Sequence, residues 1–451
     1  MDSILLMTRF QQLERDLGLF QQTVKGEPWW DSVRYDVHTF LGSVLLGRGI
    51  ATPSAQHHLR RVAARALAGA MRAKLFQRLS RKQDRVLLIR APRYRENGVN
   101  RDIIIDPVGA LFSHEIYGID TFPRRHHVPF YQKSRRSGSV PCDMGNTIAA
   151  LLDTFEIKQD CADELERIIR FRRFAFEAEV RGYGQLLARA RPRMIILVQN
   201  GIEKALFKVA GANGIPTAEL QHGLMGYAHP AYSYPEDVDY SGQGTFPDLF
   251  LSFSEFWDRS CHYPAGDRIP IGNDSYFVKT LPVNPDGKVM VVSTGVHHST
   301  LAKWIREIAV LSPNRQIIYK LHPGQQPRFH QIVTEFGDLP NIEVYSGHSS
   351  PQTLLKQVSH VIGICSTVMY EALQAGRTVC IIPQQDYLVH ADILQTPGVL
   401  VTPTPEDLDR ALDNSGTVGS PRFFDPFDAD RARTVIESAM QPANKKRRGA
   451  S

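Results

Sequence analysis

Two series of short, uninterrupted apolar runs, each run followed by a helix-length stretch, constrain this 451-residue chain more than any other feature. The first series reads RVLLIR (85–90), DIIIDPV (102–108), RMIILVQN (193–200), PTAELQHG (216–223) and DLFLSFS (248–254). Strands that are apolar at successive positions bury both faces, an environment provided by a parallel sheet covered by helices on each side. A second series opens with VMVVST (289–294) and continues through QIIYKLHP, IEVYSG, HVIGIC, TVCIIP and GVLVTP, again with helical stretches between. Between the series, YPAGDRIPIGNDSYFVKTLPVNPDGK (263–288) has the Pro, Gly and Asn content of a linker. The sequence therefore predicts an α/β protein of two doubly wound, Rossmann-like domains facing a cleft. The expected divisions are a helical N-terminal region (1–84), a first domain (85–270), a hinge (271–288), a second domain (289–440) and a basic tail (441–451).

The longest apolar runs fall far short of the roughly 20 residues of a membrane-spanning helix. The opening MDSILLMTRF lacks the charged start and apolar core of a signal peptide, so a cytoplasmic location is expected. Cys142, Cys161, Cys261, Cys365 and Cys380 form no CxxC pair, and free thiols are expected. Within GEPWWDSVRYDV, Trp29, Trp30 and Tyr35 are expected to fill a core. The net charge of +6 is unevenly placed. Residues 59–85 read as a basic amphipathic helix, and RRHHVPFYQKSRR (124–136), with Arg124 and Arg125, and KKRR (445–448) add further positive charge. Such segments are either solvated faces or points of peripheral contact with an anionic membrane. A nucleic-acid partner is not expected, because no RNP-like motif, zinc finger or helix-turn-helix accompanies the charge.

In open parallel sheets, ligands gather at the carboxyl ends of strands, where helix N-termini offer free N–H groups. Three such ends stand out in the second series. Gly295 follows VVST; Lys320, His322 and Pro323 close a strand in YKLHPG; and GICSTVMYEAL brings Ser366 and Thr367 to a helix start, with Glu371 one turn on. Taken singly, Ser366 or Thr367 reads as a helix cap, His322 as a core histidine and Glu371 as part of a solvated face. Taken together, they are the donors a nucleotide phosphate needs, plus a carboxylate for ribose hydroxyls. In the first series, AELQHGLMGYAHP places Gln221, His222 and Gly223 at a strand end.

KLHPG followed by CSTVMYEAL resembles the HP and Ser/Thr motifs of bacterial capsule-polysaccharide transferases, among them sialyl- and Kdo-transferases and CDP-glycerol glycerophosphotransferases. Residues 289–403 resemble the donor domain of GT-B glycosyltransferases. LERDLGLFQQTVKGEPWWDSVRYDV and APRYRENGVNRDIIIDP are similar to the opening segments of capsule and surface-polysaccharide biosynthesis proteins. The resemblance implies that His322 and Ser366 or Thr367 hold donor phosphate. QHG resembles the HG segment of CDP-glycerol transferases, in which the histidine is a candidate base. An imidazole titrating at about 6.5 takes a proton from a hydroxyl near neutral pH, and Gly223 would admit substrate closely. Glu203 in QNGIEKAL is the alternative base, since sialyltransferases of this type use an acid after a strand, although amides stand here where that motif has acids. Both candidates stay open.

No metal is expected: the triplets Asp237–Asp239 and Asp428–Asp430 follow no apolar strand. Gly-rich phosphate loops of the GxxxxGK[ST] and GxGxxG kinds are absent. The implied activity is an inverting, metal-independent transfer from a nucleotide-sugar, CMP- or CDP-linked, to a capsule- or lipopolysaccharide-type acceptor, with no cofactor beyond that substrate. The same cradle would also suit a glycerophosphotransferase, a nucleotide-sugar 2-epimerase or a non-catalytic scaffold.

Overall fold

The computed structural model describes residues 1–47, 85–91, 94–96, 99–112, 116–120, 144–199, 201, 203–282, 287–295, 297–347, 349–384, 387–413, 419 and 421–441. Six strands build the first sheet: β1 (Val86–Arg90), β2 (Ile116–Asp120), β3 (Met194–Val198), β4 (Thr217–Leu220), β5 (Leu249–Ser252) and β6 (Asp267–Pro270). All pair in parallel, in the order β6-β5-β4-β3-β1-β2. The second sheet holds β7 (Lys288–Val292), β8 (Ile317–Lys320), β9 (Ile342–Tyr345), β10 (Val358–Gly363), β11 (Thr378–Ile381) and β12 (Val399–Val401). It too is parallel, in the order β9-β8-β7-β10-β11-β12. The expected pair of doubly wound α/β domains is present.

The strands form where the sequence is apolar on both faces. Leu87, Ile89, Ile195 and Leu197 pack beneath the long helix Ala162–Ala190 through Phe176, Leu186 and Leu187. Their alternates Val86, Leu88, Met194 and Ile196 face the opposite layer. Each such side chain, fully buried, stabilises the fold by roughly 1.5–3 kcal/mol. In the second domain Val289, Val291, Ile317 and Tyr319 meet Leu301, Ile305 and Ile308 of the helix His298–Leu311.

Two expectations are corrected. DIIIDPV is not a strand: Ile105–Leu111 is helical, because the buried Asp102 carboxylate accepts from the N–H groups of Ala91, Ile104 and Ile105 and so turns the chain. The edge strand is instead β2. Within the N-terminal region, the helices Ser3–Asp16 and Asp31–Leu45 join the core of the first domain, with Trp29 and Trp30 fully buried and Tyr35 partly so. Finally, Ala429–Met440, expected in the second domain, crosses back to pack on Ile105–Leu111, with the Arg433 guanidinium 5.6 Å from the centre of the Phe112 ring.

That crossing needs glycine at one point. Gly272 has φ +72°, and a Cβ there would lie 2.0 Å from the carbonyl oxygen of Pro426. Gln374 rivets the same passage: its side chain accepts from the N–H groups of Phe423 and Phe424 and donates to Val278 O and Phe424 O. Among the described residues no helix is long and apolar enough to cross a membrane. The basic helix expected over 59–85, apart from Arg85, the loop 124–136 with Arg124 and Arg125, and the tail beyond Gln441 lie outside the described residues.

Candidate functional site

Strand order reverses in each sheet, and a reversal opens a crevice at the carboxyl ends of the two strands beside it. In the second sheet those strands are β7 and β10, so Thr294 and Gly295 stand on one side and Ser366 and Thr367 on the other. In the first sheet they are β1 and β3, beside the β4 end that carries Gln221, His222 and Gly223.

The Ser366 turn is locked from behind. Its N–H donates to Nε2 of His390 at 3.1 Å, so that nitrogen carries no proton and Nδ1 donates to the Tyr370 hydroxyl at 3.3 Å. Tyr370 in turn donates to Asp392 at 2.7 Å. Burial pushes His390 down to about 3 and Asp392 up to about 6, the latter against the Tyr370 hydrogen bond. Ser366 Oγ accepts from Val368 N–H at 3.3 Å, and Thr367 immediately precedes the helix Val368–Gln374.

His322 is exposed and begins the 3₁₀ turn Pro323–Arg328, with Pro323 at its first position. Its Nδ1 accepts from Gly324 N–H at 3.0 Å, which leaves Nε2–H as the donor nitrogen of the neutral ring. Lys320 is oriented otherwise than a phosphate-facing cation: buried, it donates to the carbonyls of Leu321 (2.9 Å) and Gly347 (3.3 Å). Burial pushes it down to about 8, with Glu371 opposing. Glu371 is buried as well, accepts from Gln352 at 3.2 Å, and is pushed up to about 8 by burial, with Lys320 opposing. A ribose therefore meets no solvated carboxylate at Glu371.

Two further side chains share this crevice. A Cβ on Gly295 would lie 3.8 Å from Gln325 Cγ. Gln325 is buried; its Oε1 accepts from His322 N–H at 3.1 Å, while its Nε2 and the Oγ1 of Thr294 are buried without a hydrogen-bond partner. Buried donors of this kind call for an acceptor. Sequence reasoning passed over both, though Gln325 lies three positions beyond His322 in LHPGQQ.

In the first domain Gln221 is fully buried and structural: its amide donates to Gly223 O at 2.8 Å and accepts from Phe253 N–H at 2.9 Å, fixing the turn that displays His222. His222 is half-buried, with Nδ1 3.3 Å from the Tyr232 hydroxyl and its ring 5.9 Å from that of His229. Glu203 accepts from the Tyr183 hydroxyl, and its N–H donates to Gln199 Oε1 at 2.7 Å. The two domains meet at this turn. A Cβ on Gly223 would stand 3.9 Å from Thr367 Oγ1, and one on Gly226 would stand 3.7 Å from Val389 O. The structure thus brings the His222 turn against the Ser366–Thr367 turn.

Among the described residues no group of three His, Cys, Asp or Glu is arranged to hold a metal. Asp428 serves instead as the cap of Ala429–Met440, and Asp237 pairs with Arg15.

Residues 269–387 match the family described as capsule polysaccharide biosynthesis protein, a span that contains His322, Ser366 and Thr367. No curated protein matches the sequence. Among solved structures, the chain is similar to the S. aureus MnaA–UDP complex, with 14% identity over 79% of this chain and 96% of that one and a TM-score of 0.47. It is also similar to the UDP-GlcNAc 2-epimerase of Neisseria meningitidis bound to UDP-GlcNAc (13%, 78% and 99%, TM-score 0.45). A third is MurG of Acinetobacter baumannii (13%, 79% and 99%, TM-score 0.45).

Proposed function

We propose that this protein transfers a sugar from a nucleotide donor to a hydroxyl of a surface-polysaccharide acceptor, with the donor phosphates in the β7/β10 crevice and His222 as the base. The observation that supports it is the approach of Gly223 to Thr367, which sets the imidazole turn of one domain beside the phosphate-type turn of the other. As the acceptor oxygen attacks the anomeric carbon, its proton passes to His222. The bond from that carbon to the phosphate oxygen breaks, and its electron pair stays on the phosphate. Nε2–H of His322 and the hydroxyls of Ser366 and Thr367 supply hydrogen bonds to the growing charge. Lys320 contributes indirectly, holding the chain at Leu321 and Gly347.

Replacing the two histidines separates the roles. His322→Ala is expected to weaken nucleotide binding by roughly 1.5–3 kcal/mol, measured by calorimetry with CMP, CDP, UDP and GDP. His222→Ala should bind the same nucleotide as wild type while kcat falls about 100-fold or more. Wild-type kcat in a folded His222→Ala would remove His222 as the base and turn attention to Glu203. Turnover of donor without any acceptor would instead favour a 2-epimerase.

The sequence's basic stretches support a place at an anionic membrane face. Arg60, Arg61 and Arg65 changed to Glu should reduce pelleting with anionic vesicles at low salt, each charge contributing on the order of 1 kcal/mol. Equal pelleting of variant and wild type would end that part of the proposal.

A further inference from the structure

Glu219 lies on β4 in the interior of the first sheet, fully buried, and the mechanism above makes no use of it. An acid at that depth persists when its oxygens are filled. Its Oε2 accepts from Gln199 Nε2 at 2.9 Å and from the Tyr263 hydroxyl at 2.7 Å, and its Oε1 lies 2.9 Å from the Tyr232 hydroxyl. That same hydroxyl lies 2.8 Å from the carbonyl oxygen of Gln199 and 3.3 Å from Nδ1 of His222.

The Tyr232 hydroxyl has a single proton to give. Two oxygens stand nearer to it than the imidazole does, and the Gln199 carbonyl only accepts. If Glu219 is ionised, both oxygens compete for that proton. If Glu219 is protonated, the carbonyl is still the closer acceptor. In either state Nδ1 of His222 is left to donate to the phenol oxygen, which puts the ring's lone pair on Nε2. Which nitrogen of a neutral imidazole carries the proton is set by the hydrogen bond its partner nitrogen makes.

Tyr232 is itself held on all sides. Arg34 donates to Pro230 O and Ser233 O on either flank, and a Cβ on Gly201, which has φ +70°, would lie 2.4 Å from Ala231 Cβ. We infer that Tyr232, backed by Glu219, is a positioning residue that fixes His222 in the Nδ1–H form and so makes Nε2 the basic atom. This rests on the reading of His222 as the base.

The test is nitrogen NMR of the full chain with 15N-labelled histidine near neutral pH, the His222 signals being assigned by their loss in His222→Gln. The expected pattern is a protonated Nδ1 and an unprotonated Nε2. In Tyr232→Phe the pattern should move toward the Nε2–H form, and kcat should fall about 10-fold or more while the donor KM stays as in wild type. A wild-type His222 protonated on Nε2, or a Tyr232→Phe variant with an unchanged tautomer, overturns the inference. Should the nitrogen pattern be as expected and His222→Ala still turn over at the wild-type rate, it is the reading of His222 as the base that falls. The tautomer assignment needs no activity and survives that result.

Discussion

Burial keeps two imidazoles near the domain junction neutral well below their ordinary range: His229 is pushed down to about 4 and His390 to about 3. For His390 the neutrality is structural, because its Nε2 must stay unprotonated to accept from Ser366. In the unfolded chain each ring binds a proton below about 6.5. Between that pH and the lower folded values the unfolded state therefore holds more protons, so stability falls as pH drops through the window. Asp392 works in the opposite sense: raised to about 6 by burial, it favours the folded state less as pH rises from roughly 4 to 6. Glu371, raised to about 8, acts in the same sense as Asp392 over this range, so the wild-type trend is a balance of imidazoles and carboxyls. The share of His390 is read by difference: His390→Gln, whose amide oxygen still accepts from Ser366, should gain stability relative to wild type as pH drops from about 7 to 4.5, on the order of 3 kcal/mol. A Tm difference between wild type and variant that is the same at both ends of this range would contradict the assignment.

The N-terminal helices act as a clasp on the loop that carries Tyr232. Arg34 and Glu14 form a fully buried pair, Nε to Oε1 at 2.6 Å and Nη2 to Oε2 at 3.1 Å, and Trp30 Nε1 donates to the same carboxylate at 2.6 Å. The guanidinium then reaches Pro230 O and Ser233 O and lies 4.1 Å from the centre of the Tyr234 ring. Gln11 adds a bond to Ser233 Oγ at 2.8 Å. Removing one member of such a pair strands the other charge, which costs about 3–5 kcal/mol. Arg34→Met should accordingly lower unfolding free energy by about that amount in urea titrations and loosen residues 230–234 to hydrogen exchange. Loss of stability below about 1 kcal/mol would show that the clasp is not coupled to the fold.

Across the whole molecule, the two sheets are tied by an aromatic junction and by the returning chain. The ring of Trp257 of the first domain lies tilted, 5.0 Å from that of Tyr370 of the second, and its indole N–H donates to Phe423 O at 2.7 Å, while Tyr276 lies 5.6 Å from Phe424. Gly272 sits where the linker passes the returning segment, and a side chain there would meet the backbone of Pro426. Gly272→Ala should therefore displace one segment from the other, at roughly 1–3 kcal/mol for the strained conformation alone. Its mark would be a lowered melting temperature together with a raised donor KM, since the Ser366 and His222 turns depend on the same apposition. A variant with unchanged melting would show that the crossing yields without cost.

Much of this architecture is readable in the chain itself. RVLLIR, RMIILV, VMVVST and HVIGIC are apolar at nearly every position, which suits a strand inside a covered parallel sheet, and their repetition along the chain makes the two domains and the strand-end placement of His222, His322, Ser366 and Thr367 readable locally. DIIIDPV reads the same way yet forms a helix, because a carboxylate placed to cap the turn outweighs the propensity of three isoleucines. What local pattern does not hold is anything set by distant partners. The apposition of Gly223 and Thr367 depends on how the domains are joined, and Lys320 and Glu371 turn inward because burial and nearby carbonyls, not strand position, decide their orientation. Glu219 shows the limit most plainly. In AELQHG it is one charge in an apolar strand; its three partners lie 13, 20 and 44 residues away, and only folding brings their hydrogen-bonding groups to its oxygens.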